Sequence, residues 1–155
     1  MDLVTELANV SRALDDARVP YAVCGGIAVT IHGHVRATKD IDLLIRPEDR
    51  ERAMAVVAAL GFDRAALPMT FGANTPAARE VQRVSKLDGG ETLTIDFLVV
   101  GAPYEAVWSS RETYDWEGAK LTVVSREGLV AMKRLAGRTQ DLADIEQLTG
   151  RSHDE

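Results

Sequence analysis

The segment Tyr21-Ala22-Val23-Cys24-Gly25-Gly26-Ile27-Ala28-Val29-Thr30-Ile31-His32-Gly33-His34-Val35-Arg36-Ala37-Thr38-Lys39-Asp40-Ile41-Asp42-Leu43-Leu44-Ile45 decides how this chain folds. Its first four residues predict a short apolar strand. Gly25-Gly26 then allows a tight turn with close backbone approach, and Ile27 onward reads as a helix over about residues 26–32. Residues 41–45 are aliphatic and β-branched, so a second strand follows, and Asp40 and Asp42 enter it two residues apart. At that spacing two side chains share one face of a strand.

Two carboxylates on one face repel each other, and a fold tolerates this where a divalent cation neutralises both. Mg²⁺ is the natural candidate. A third acid is needed to hold two metals about 3.5 to 4 Å apart for nucleotidyl or phosphoryl transfer. Leu93-Thr94-Ile95-Asp96-Phe97-Leu98-Val99-Val100 offers it, a second apolar strand with one carboxylate inside. If the two strands are neighbours, Asp96 faces Asp40 and Asp42. Backbone N–H groups at Gly25 and Gly26 would then face a triphosphate.

Working outward, Leu3, Val4, Leu7, Val10, Leu14 and Ala17 recur at helical spacing and predict an amphipathic helix ending near Arg18, with Pro20 stopping it. Pro47 opens a helix to about Leu60, and Gly61 ends it. Pro68, Gly72, Asn74 and Pro76 make residues 65–78 read as a loop over the site. Strands near 79–87 and 92–100 flank Asp88-Gly89-Gly90, a hairpin turn. A short helix at 104–109, a strand at 121–124 and two C-terminal helices from about Arg126 and Gln140 complete the pattern. The fold expected is α/β (α+β), a small mixed sheet flanked by helices, in one domain covering residues 1–155.

Composition bounds the function. The chain has 155 residues, 46% of them hydrophobic, enough for one sizeable core. One cysteine excludes an internal disulfide, no apolar N-terminal signal is visible, and no apolar run reaches the ~20 residues of a membrane span. A cytoplasmic protein without membrane contact is expected, with Cys24 as inert packing. A net charge of −6 argues against an extended nucleic-acid surface. Arg79, Arg83 and Lys86 read as a solvated strand face. His32 and His34 do not share a helix face, and the acids already suit a hard cation. Trp108 and Trp116 read as packing residues.

The segment resembles the signature of the polymerase β-like nucleotidyltransferase superfamily. Gly25-Gly26-Ile27-Ala28 with Arg36-x-Thr38-x-Asp40-Ile41-Asp42 resembles in particular its AbiEii/MenT-type toxin branch. Downstream, Lys133 on a helix followed by Gly137-Arg138-x-x-Asp141-Leu142-x-Asp144-Ile145 is similar to that branch's ending, so the likeness spans roughly residues 21–148. One departure is that much of the superfamily has Gly-Ser where this chain has Gly25-Gly26. The resemblance implies that Asp40, Asp42 and Asp96 are catalytic metal ligands. It implies that Gly25, Gly26, Arg36, Thr38, Lys133 and Asp141 hold a nucleoside triphosphate, with two Mg²⁺ ions as cofactors. From the residues alone, Arg36 and Thr38 could equally order the approach to Asp40, and Lys133 could be a solvated partner of Glu127 or Asp141. Asp141 and Asp144 could be first-turn acids of the last helix.

The implied activity is transfer of a nucleoside monophosphate to an acceptor hydroxyl. Three versions follow from the resemblance. The first is a toxin acting on tRNA with an antitoxin partner, and the second an antibiotic nucleotidyltransferase, whose polycationic aminoglycoside acceptors would suit an acidic pocket. The third is a non-catalytic antitoxin-like module of the same fold.

Overall fold

The computed structural model describes residues 1–34, 38–75 and 78–150. Among the described residues, six helices and eight strands are arranged as a mixed, mostly antiparallel sheet with helices against it. The helices are α1 (Leu3–Asp16), α2 (Gly25–Ile31), α3 (Arg50–Ala58), α4 (Glu105–Ser109), α5 (Arg126–Ala136) and α6 (Thr139–Thr149). The strands are β1 (Ala22–Cys24), β2 (Asp40–Ile45), β3 (Arg64–Ala65), β4 (Met69–Phe71), β5 (Arg79–Asp88), β6 (Glu91–Val99), β7 (Glu112–Trp116) and β8 (Ala119–Val123). Their order is β3-β5-β6-β2-β1-β8-β7, with β4 paired to β5 beside β3.

The centre of the sheet is its most apolar part. Ala22, Val23 and Cys24 of β1 and Ile41, Leu43, Leu44 and Ile45 of β2 are fully buried, as are Ile95 and Phe97 of β6. β2 runs parallel to β6 and antiparallel to β1, while β1 and β8 are parallel. Alternation in β6 is strict: Leu93, Ile95, Phe97 and Val99 are buried and the residues between them are not, which leaves Asp96 and Leu98 on the more open face. Helix α1 starts where the Asp2 carboxylate accepts the Thr5 N–H at 3.2 Å and packs Leu7, Val10 and Leu14 inward. It stops at Asp16, two residues before the position expected.

The hairpin β5–β6 turns at Gly89-Gly90, both at positive φ, the geometry of a two-residue turn that matches strand twist. Three regions differ from the sequence expectation. Residues 65–78 are not wholly a loop, because Met69–Phe71 pairs with Val81–Arg79 of β5 and Ala65 pairs with Val84. Pro68 and Gly72 bracket a three-residue strand that acquires order only from the long edge it lies on. Glu112–Trp116, for which no strand was expected, pairs with β8 through the turn Glu117-Gly118. Pro47–Asp49 forms a 3-10 turn before α3 rather than its first turn.

Among the described residues no helix is long and apolar enough to cross a membrane.

Candidate active site

Strand register assembles the acids. Asp42 of β2 lies beside Asp96 of β6, and Asp40 stands two residues back on the same face, beside Thr94. On the other flank Arg83 of β5 pairs with Asp96, and Cys24 of β1 pairs with Asp42. The row across the sheet is therefore Arg83–Asp96–Asp42–Cys24, and it opens into a cleft of about 250 Å³ whose other wall is α5 and the start of α6.

Electrostatics along this row are uneven. Burial, then Asp96 and Asp40, push the Asp42 carboxyl up to about 7. The Arg83 guanidinium grips Asp96 with two bonds, Nε to Oδ1 at 2.8 Å and Nη2 to Oδ2 at 2.9 Å. Among the described residues, no three His, Cys, Asp or Glu side chains are gathered tightly enough to close around an ion. The donor chemistry nevertheless fits a hard divalent cation: three carboxylates on adjacent strands of one face, one of them held back from ionising by burial and then by its acidic neighbours.

Gly25 explains how Asp42 is seated. It takes φ +66, and a Cβ built there would fall 2.0 Å from Asp42 Oδ2. Only glycine leaves room for that carboxylate against the start of α2. Gly26 is buried in the first turn of the same seven-residue helix. The Cys24 thiol is fully buried, and desolvation followed by the Asp42 charge push its pKa up, consistent with inert packing.

On the facing wall Lys133 is not solvated. It is 6% exposed, and its Nζ lies 3.0 Å from Asp144 and 3.5 Å from Asp141. Glu127 is not the partner. Asp141 also accepts from the Arg138 guanidinium at 2.6 Å and from the Arg138 backbone N–H at 3.2 Å, which ties down the first turn of α6. Asp144 accepts from Gln140 at 2.8 Å. Lys133, Arg138 and Asp141 all line the cleft. Thr38 donates its hydroxyl to the Asp40 carbonyl at 3.4 Å, a contact that orders the entry to β2. Arg36 lies outside the described residues. His32 is a packing residue, its Nε2 2.9 Å from the Val124 carbonyl and its ring edge-on to Tyr114.

Sequence reading passed over Arg83. It was grouped with a solvated face, yet counting back from the Asp88–Glu91 pair of the hairpin puts it opposite Asp96. Arg79, Met69 and Phe71 also line the cleft, with the Arg79 guanidinium 5.4 Å from the centre of the Phe71 ring.

This architecture is that of the polymerase β-like nucleotidyltransferases. The chain belongs to the aminoglycoside-2″-adenylyltransferase family, whose model matches residues 6–148. No curated protein matches it. Among solved structures it is similar to ANT(2″)-Ia in complex with adenylyl-2″-tobramycin, at 19% identity and TM-score 0.59, covering 95% of this chain and 87% of that one. It is similar to a Thermotoga maritima protein assigned as a nucleotidyltransferase, at 14% identity and TM-score 0.62, with 96% and 93% covered. The lincosamide adenylyltransferase LnuA with lincomycin bound matches at 15% identity and TM-score 0.57, over 93% and 94%. These likenesses speak to the fold, and the family match lies with antibiotic adenylyltransferases rather than with the toxin branch that the sequence motifs resemble.

Proposed function

We propose that the protein transfers a nucleoside monophosphate from a nucleoside triphosphate to a hydroxyl of a small-molecule acceptor, with Mg²⁺, in the cytoplasm. The observation that carries this reading is the row of Asp42 and Asp96, with Asp40 behind it, opening into a cleft that Lys133 and Arg138 face from the other side. Asp40, Asp42 and Asp96 would hold the metal. Bound there, Mg²⁺ would neutralise triphosphate charge and lower the pKa of the attacking hydroxyl.

The chain's own groups do the positioning. Gly25 and Gly26 bring backbone N–H groups up to the acids without a side chain between, standing in for the Gly-Ser of many relatives. Lys133 and Arg138 supply positive charge for the triphosphate, and Asp141 holds the two at fixed spacing. Thr38 steadies the backbone at Asp40, and Arg36 completes the set proposed for the nucleotide.

A small acceptor is favoured over tRNA by the net charge of −6 and by the family match. The test is incubation with each labelled nucleoside triphosphate, offering aminoglycosides, lincosamides and total tRNA in parallel. Label should move to a small molecule with release of pyrophosphate, and transfer should vanish in Asp42→Asn. Label moving to tRNA alone would overturn the small-molecule reading and favour the toxin version with its antitoxin partner.

A further inference from the structure

Three cations of the cleft, Arg83, Lys133 and Arg138, are each paired with a carboxylate, and the partners differ in kind. On the α5–α6 wall Lys133 is paired with Asp144 and lies against Asp141, and Arg138 is bonded to Asp141. Neither acid is among the three proposed as metal ligands, so both cations keep their partners when the sheet side is loaded. Arg83 is placed otherwise. Its two hydrogen bonds both go to Asp96, and among the described residues they are its only ones. Asp96 is itself a proposed metal ligand, so the group that holds Arg83 is the group a cation would take. The Arg83 side chain is 45% accessible and lines the cleft. Open space therefore lies beside the guanidinium once it lets go.

We propose that Arg83 is a nucleotide-binding residue held in reserve: a divalent cation taking Asp96 frees its guanidinium, which then bonds the triphosphate. The proposal rests on the transfer reading above and adds an order to it, metal before nucleotide. Without metal the Arg83–Asp96 pair is neutral and the fork of the guanidinium is filled. With a cation on Asp96 the positive charge of Arg83 is uncompensated, and a phosphate offers the same two-oxygen edge that the carboxylate gave. A nucleotide arriving alone does not draw Arg83 away, because that would leave Asp96 bare beside Asp42, with Asp40 on the same face. Lysine at this position would supply the charge without the fork.

The test uses the α,β-methylene analogue of ATP, which cannot transfer its nucleotidyl group, with two readouts of binding. In nitrogen NMR the Arg83 Nε–H resonance, assigned as the one missing from Arg83→Lys, should shift on addition of Mg²⁺ and shift again with the analogue. A resonance that Mg²⁺ leaves in place overturns the release. In calorimetric titration at saturating Mg²⁺, Arg83→Lys should bind the analogue about fivefold and Arg83→Gln about tenfold more weakly than wild type. In chelator, Arg83→Lys and wild type should match, since both keep the charge paired with Asp96. Equal affinities of all three proteins in Mg²⁺, or the same loss for Arg83→Lys in chelator, overturn the handover. Pyrophosphate release from ATP by the wild type with an acceptor panel is followed separately: its persistence with a failed titration removes Arg83 alone. Its absence together with the expected shifts and titrations sinks the transfer reading and supports a metal-gated nucleotide site.

Discussion

Arg83 and Asp96 face each other directly across the β5–β6 hairpin, and the guanidinium occupies both oxygens of the carboxylate that a metal would need. The pair works as a built-in counter-charge, and a divalent cation entering the site competes with it. Arg83 is partly exposed, its side chain 45% accessible against 13% for Asp96, so the pair contributes little to stability, within about 1 kcal/mol. Arg83→Gln should therefore leave the melting temperature nearly unchanged and tighten Mn²⁺ binding about five- to tenfold, read by spectroscopic titration of the free ion. Unchanged or weaker Mn²⁺ binding would show that Arg83 and the metal do not compete.

Asp42 gives a pH signature in the metal-free protein. Its folded pKa is raised to about 7 from an ordinary 3.8, first by burial and then by its acidic neighbours. Between those values the folded chain holds a proton that the unfolded chain has released, so stability falls as pH rises through the window. Above it the fold carries the full cost, of the order of a few kcal/mol. In chelator, Asp42→Asn should raise the melting temperature at pH 8 and leave it nearly unaltered at about pH 4. A pH-independent difference between the two proteins would remove the assigned cause.

Gly25→Ala tests the seat of that carboxylate. The new methyl collides with Asp42 Oδ2, and the residue must also keep a left-handed backbone. The left-handed conformation alone costs about 1 to 2 kcal/mol for alanine, and the collision adds to it. Chemical denaturation should show a loss of at least that size, and transfer should fail even where the protein still folds. An active, equally stable variant would mean that Asp42 has room to move aside.

Lys133→Ala separates a buried pair from a solvated one. Had the side chain been exposed, its loss would shift stability by at most about 0.5 kcal/mol. Buried against Asp141 and Asp144, it leaves a carboxylate without its cation. The cost should be about 3 kcal/mol, the low end for a broken buried pair, because Arg138 and Gln140 still bond the two acids. Denaturant midpoints of the variant and of Lys120→Ala should differ clearly, since Lys120 is exposed on β8.

What could be read from the sequence was whatever depends on neighbours along the chain. The period of two in β6, the apolar run of β2, the Asp88-Gly89-Gly90 turn and the start of α5 near Arg126 are local signals, and each element formed where expected within a residue or two. β3, β4 and β7 were missed because their order comes from strands elsewhere that they lie against. The candidate site divides the same way. Asp40 and Asp42 were legible as a pair, and Asp96 as a lone acid in an apolar strand. The hold of Arg83 on Asp96 and the burial of Lys133 needed register and helix packing. The Arg83 pairing was recoverable by counting from the turn, whereas the α5–α6 packing that buries Lys133 leaves no mark in local periodicity.

The parallel pairing of β2 with β6 also sets an order of assembly. The β5–β6 hairpin closes from a two-residue turn, on the microsecond scale typical of hairpins, and brings Arg83 onto Asp96 as it closes. β2 joins from a distant part of the chain across a crossover, the slower kind of event. The second aspartate thus meets a first whose charge Arg83 already balances, and the electrostatic conflict that the finished cleft contains arises only where β2 docks.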